Sequence, residues 1–111
     1  MKIEIRTQGI ELTEGLRLHV EKRVDFALDW AHHEVSQVIF RFSDINGTRG
    51  GKDKRCKLLI PLPGMRDIVI EDTAEEINIV VDRVIDRAAH TLERRLSRRR
   101  EFGPLPKSGT P

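Results

Sequence analysis

Cysteine occurs once, at Cys56, so the chain can close no internal disulfide and can build no CxxC metal site. Long apolar runs are missing too. Stretches such as residues 58–62 fall far short of the roughly 18 residues that a membrane-spanning helix requires. From Lys2 onward the N-terminus alternates charged and apolar residues, a pattern without a signal-peptide h-region. These absences predict a cytoplasmic protein that does not enter a membrane. Catalytic patterns are equally scarce. No GK[ST] ending opens a helix as in a P-loop, and no Ser/His/Asp set or paired carboxylate stands out. His19 and His90 lack a second ligand at metal spacing on their own helices, and His32-His33 lie at a predicted helix end, where cations are favoured. The expectation is a non-enzymatic protein with no cofactor, no metal and no small-molecule substrate.

What is present is enough for one modest domain. The chain has 111 residues, 38% of them apolar, within the usual span of a single core. Net charge is only +2, but it is segregated. Residues 41–66 hold seven bases against Asp44 and Asp53, and residues 83–100 hold seven arginines against Asp86 and Glu93. Between them, residues 67–82 carry six acids and no base. Segregation of this kind creates local fields that a near-neutral total conceals.

Periodicity orders the chain as β-α-β-β-β-α. Residues 2–8 alternate, with Ile3 and Ile5 on one face, and Gly9 ends the pattern. Thr13 is the predicted N-cap of a helix reaching about Trp30, with Leu16, Val20, Val24, Ala27 and Ala31 on its core side. Residues 35–43 form the next strand, with Val38, Phe40 and Phe42 inward. Residues 44–53 contain Asn46-Gly47 and Gly50-Gly51 and read as a long hairpin loop. A strand over residues 55–62 places Cys56, Leu58, Ile60 and Leu62 inward, and Pro61 implies that it ends, or lies at an edge, near there. Pro63-Gly64 turns the chain into a short strand over residues 67–71. Thr73 and Glu76 then form a predicted capping box for a helix running to about Arg98, with Ile77, Val81, Val84, Ala88, Leu92 and Leu96 on its core face. The expected architecture is an α+β fold over residues 1–101, a four-stranded sheet with two helices on one face. Residues 102–111, rich in proline and glycine, read as a disordered tail.

Three surfaces are candidates for binding an anion. On the last helix Arg83, Arg87, His90, Arg94 and Arg98 share one stripe opposite the core side, while Asp82, Asp86 and Glu93 form a separate acidic flank. An ordinary solvated helix face with internal ion pairs is the competing account, but the stripe has few acids at pairing distance, and the arginine fork suits phosphate. On the open sheet face Arg6, Arg41, Arg55 and Lys57 point away from the helices among Ile39, Leu59 and Val69. That face could be a solvated sheet, a dimer contact or an RNA platform, though not an aromatic stacking platform, since Phe40 and Phe42 belong to the core. Arg49 and Lys52, flanked by glycines in the hairpin loop, could let backbone amides approach phosphate, or could be a mobile tip. Cys56, on an apolar strand face, is expected to be a core residue.

The element order and three stretches carry a resemblance: Ile3-Glu4-Ile5, Leu12-Thr13-Glu14-Gly15-Leu16, and Val80-Val81-Asp82-Arg83-Val84-Ile85-Asp86-Arg87-Ala88-Ala89-His90-Thr91-Leu92. Over roughly residues 2–100 the chain resembles the short form of the ribosome hibernation-promoting factor and ribosome-associated inhibitor family, also called sigma-54 modulation proteins. Arg87, His90 and Arg94 fall where that family places basic residues. The resemblance implies a βαβββα domain that binds ribosomal RNA of the small subunit, occludes the decoding region and keeps idle ribosomes from translating. The implied protein acts by stoichiometric binding, as a monomer or weak homodimer. A general double-stranded RNA binder and a module dimerising through its open sheet face are the alternatives.

Overall fold

The computed structural model describes residues 1–45 and 53–101, the last three by their backbone. In chain order the elements are β1 (Lys2–Gln8), α1 (Glu14–Leu28), a 3-10 turn (Asp29–Ala31), β2 (Gln37–Asp44), β3 (Lys54–Ile60), β4 (Ile68–Ala74) and α2 (Ile77–Glu101). The expected βαβββα order and α+β class are what the structure shows. Of the loop predicted over residues 44–53, Asp44 is instead the last residue of β2, and the part that holds Arg49 and Lys52 lies in residues 46–52, as the predicted tail lies in residues 102–111. Both fall outside the described residues.

The sheet order follows the chain, β1-β2-β3-β4. β1 runs parallel to β2, so α1 is the crossover between them, and the two remaining pairs are antiparallel. Alternation sorts the side chains. Val38, Phe40, Phe42, Cys56, Leu58, Ile60, Ile68 and Ile70 are buried in one core with Leu16, Val20, Val24 and Leu28 of α1 and Val84, Ala88 and Leu92 of α2. Both helices therefore cover the same face, and the other face of the sheet is left open.

Local chemistry accounts for most boundaries. Thr13 caps α1 by accepting the Leu16 amide on its hydroxyl at 3.1 Å, satisfying one of the donors that a helix start leaves free. β3 stops before Pro61, and the chain reverses over Pro63-Gly64, where Gly64 takes φ 81, a backbone state glycine adopts without steric cost. At the base of the β2–β3 hairpin the Ile45 amide donates to the Asp53 carbonyl at 2.8 Å. Asp53 is nearly buried, and its carboxylate is met by Lys54 Nζ at 3.0 Å. That hydrogen bond, with the charge of Asp44 behind it, raises the Lys54 pKa.

The start of α2 differs from the expectation. Thr73 is not a helix cap: it lies in β4, paired with Arg55 of β3, and its amide bonds to the Asp72 carboxylate at 2.8 Å. β3 is long enough to pair every residue of β4, so the ladder carries the strand on to Ala74 and postpones the helix to Ile77. Glu76 enters through its backbone carbonyl, which accepts the Val80 amide at 3.3 Å. The buried stripe of α2 is also wider than periodicity indicated, taking in Val80 and Ile85.

Candidate nucleic-acid interface

Register turns the open face into rows. Arg6 pairs with Arg41, Arg41 with Lys57, and Lys57 with Glu71, so one line of side chains crosses all four strands and carries three cations before it meets an acid. Neighbouring strands are about 4.8 Å apart, which sets those cations side by side across roughly 10 Å. Arg55 stands one step along β3 from this line and pairs with Glu71 at 3.5 Å. Arg6 leans back along its own strand to Glu4. Among the described residues, neither Arg41 nor Lys57 has an ion pair. A shallow groove of about 440 Å³ runs here, lined by Arg6, Arg41, Arg55 and Lys57. The adjacent line holds Ile39 and Leu59, half-buried, and Val69, 52% exposed.

Like charges directly opposite on a sheet are destabilising. Nothing in the packing asks for Arg41 against Lys57, since both are exposed. Their juxtaposition creates a concentrated positive field over a flat surface, and such a surface suits a polyanion.

The α2 stripe is divided by its surroundings. All five residues, Arg83, Arg87, His90, Arg94 and Arg98, are exposed, but three different neighbours claim them. Arg83 Nη1 donates to the Thr73 carbonyl and Arg87 Nη1 to the Glu71 carbonyl, each at 3.3 Å, along the free edge of β4. Arg87 also lies 3.7 Å from Asp72. Arg95, which sequence reasoning did not single out, reaches the Arg66 carbonyl in the same way. Arg83 and Arg87 thereby occupy acceptors that an edge strand otherwise offers to another chain. His90 sits on the α1 side, in a groove with Phe26 and Trp30. Arg94 and Arg98 line a shallow groove of their own with Glu93 and Ser97.

The acidic flank has a partner that the sequence did not announce. Arg23 of α1 donates from Nε to Asp82 at 3.0 Å and from Nη2 to Asp86 at 2.6 Å, and His19 Nε2 lies 2.9 Å from Asp82. Asp82 and Asp86 thus tie α2 to α1, while Glu93 has no ion pair among the described residues. Cys56 is fully buried, and burial, with the charge of Asp72, pushes its thiol up to about 12. Among the described residues no group of histidine, cysteine and carboxylate side chains could hold a metal ion, and no helix is long and apolar enough to cross a membrane.

The family model for the Sigma 54 modulation protein / S30EA ribosomal protein matches residues 3–101. The chain belongs to this family. No curated protein matches the sequence. Among solved structures, the fold is similar to that of a ribosomal subunit interface protein from Coxiella burnetii, with TM-score 0.74 and 22% identity over 87% of this chain and 99% of that one. It is also similar to the N-terminal domain of Protein Y from Thermus thermophilus, with TM-score 0.68 and 22% identity over 85% of this chain and 98% of that one. For a member of the Sigma 54 modulation / S30EA family, the two arginine-bearing surfaces described above become the places to look for function.

Proposed function

We propose that this protein binds ribosomal RNA of the small subunit, occludes the decoding region and thereby promotes ribosome hibernation or inhibits translation. The observation that carries the proposal is the line Arg6–Arg41–Lys57, in which Arg41 and Lys57 have no ion pair among the described residues, on a sheet face that neither helix covers. Family membership supports it, as does the likeness of the fold to a ribosomal subunit interface protein from Coxiella burnetii. The cations would lie along a phosphate backbone, and the neighbouring Ile39, Leu59 and Val69 would take the apolar faces of riboses or bases. Arg94 and Arg98 of α2 would add phosphate contacts from a second direction. The mechanism is stoichiometric occlusion, so the reading needs no cofactor and places the protein in the cytoplasm.

The line of cations also argues against the open face as a contact between copies, because a two-fold pairing would press Arg41 and Lys57 against their own images. Co-sedimentation with purified small subunits at several salt concentrations tests the proposal. The expected result is saturable binding that falls steeply with salt, as phosphate contacts require. Equal affinity for unrelated duplex RNA would instead assign a general RNA binder, and salt-independent binding would remove the cations from the mechanism.

A further inference from the structure

The helix layer carries a second surface, on the opposite side of the molecule from the open sheet face, and its chemistry is the reverse. Phe26 of α1 is 83% exposed, and Trp30 in the following turn is 47% exposed. The indole N–H of Trp30 already donates to the Ala27 carbonyl at 2.7 Å, so what the ring offers outward is its apolar face. Between α1 and α2 these aromatics border a groove of about 470 Å³ that Ala27 and Ala89 also line, and the small side chains let it deepen. Its α2 wall carries the carboxylates Asp86 and Glu93, with the imidazole of His90 lying between them in sequence. Asp86 is engaged by Arg23. Glu93 is exposed and has no ion pair among the described residues.

Aromatic faces beside an unpaired carboxylate are the surroundings that favour a cation on an aliphatic stem. The ring faces attract it through their quadrupoles, and the carboxylate supplies the counter-charge. The same acids repel phosphate. A second copy docked here across a two-fold axis would bring Asp86 and Glu93 toward their own images, so self-association is disfavoured.

We propose that the groove between α1 and α2 binds a lysine- or arginine-bearing peptide segment of a protein partner. An apolar side chain of the segment rests on Ala27 and Ala89, and its cationic neighbour lies between the aromatic rim and Glu93. The protein then has two poles, one for a polyanion on the sheet and one for a basic polypeptide on the helices. The second pole does not depend on what the first one binds.

Trp30 is the only tryptophan in the chain, so its fluorescence reports on this groove alone. The intact protein is titrated with a short capped peptide of alternating leucine and arginine, with the leucine and glutamate counterpart, and with oligouridylate. The expected result is a saturable change in emission with the arginine peptide only. Phe26→Ser weakens it about tenfold, as loss of an aromatic anchor does, and Glu93→Gln weakens it about threefold, as loss of an exposed ion pair does. Both side chains are exposed, so thermal melting confirms that the variants fold, and NMR amide shifts at Ala27 and Ala89 locate the site. The proposal fails if emission shows no saturable change, if the glutamate peptide binds as well, or if both variants bind undiminished. It fails equally if oligouridylate alone produces the saturable change in emission, or if emission and mass change with protein concentration alone, which would assign the groove to a second copy.

Discussion

Arg41 and Lys57 face each other across the β2–β3 ladder, two exposed cations in register, neither of which makes an ion pair among the described residues, although Glu71 stands opposite Lys57 on β4. A sheet tolerates this at a cost of roughly 0.2–1 kcal/mol. Replacing either residue with glutamine is therefore expected to leave stability unchanged or raise it by that amount, while weakening binding to ribosomal RNA. The logarithmic salt slope should also flatten by about 0.7–0.9 for each phosphate contact removed. Denaturant melts and subunit co-sedimentation on the same variants check both signs. Loss of binding together with loss of stability would mark the pair as structural.

The arginines of α2 should separate into two groups when each is changed to glutamine. Arg94 and Arg98 make no hydrogen bond or ion pair among the described residues, so their removal is expected to shift stability by less than about 0.5 kcal/mol and to flatten the salt slope. Arg83 and Arg87 bond to the Thr73 and Glu71 carbonyls. Their removal should cost about 0.5–1 kcal/mol in total, since the bonds are exposed and water replaces them. It should also leave the β4 edge open to a second chain, visible as faster aggregation near the melting temperature. A uniform response across all four positions would contradict this division.

How far these features can be read from sequence depends on the range of the interaction that sets them. Thr13 as a cap was legible because the bond it makes, to the Leu16 amide, spans three residues. Thr73 carries the same kind of signal and is nonetheless a strand residue, because pairing with Arg55, eighteen positions away, outweighs a local cap. Alternation alone put Arg41 and Lys57 on the open face. Only the register shows that they oppose each other and fall in line with Arg6. On α2 the exposed stripe was legible from spacing, whereas its division among the β4 edge, the α1 groove and solvent needed the positions of neighbouring elements. Phe26 falls outside the spacing of Leu16, Val20, Val24 and Leu28. That offset was the available sign that its ring points to solvent.

The tie between the helices is expected to be modest but specific. Arg23 bridges Asp82 and Asp86, and its side chain is about one-quarter exposed while the acids are more open. Arg23→Met should cost about 0.5–1 kcal/mol, the usual range for a partly exposed pair. A double-mutant cycle with Asp82→Asn should show coupling, because both groups share one contact. Full additivity in that cycle would mean that the Arg23–Asp82 contact contributes nothing to holding α1 on α2.

Cys56 makes stability fall on the alkaline side. Unfolded, the thiol ionises near its ordinary value of 9.0, whereas in the fold burial holds the proton until about 12. Between those limits the native state binds the extra proton, so stability decreases as pH rises through the window, by at most about 1.4 kcal/mol per pH unit. Below pH 9 the contribution is present in full. Cys56→Ala abolishes this dependence at a fixed cost of roughly 1 kcal/mol for the small void it leaves, so the stability curves of the two proteins should converge above pH 9. The raised pKa of Lys54 acts with the same sign, but it is common to both proteins and cancels in the difference. The chain has no tyrosine to titrate in the same range. Urea unfolding of both proteins from pH 7 to about pH 11 measures the convergence, and parallel curves would show that the thiolate is solvated in the folded state. Binding to ribosomal RNA at pH 7 should be the same for both, since Cys56 lies on the helix side of the sheet and Arg41 and Lys57 lie on the other.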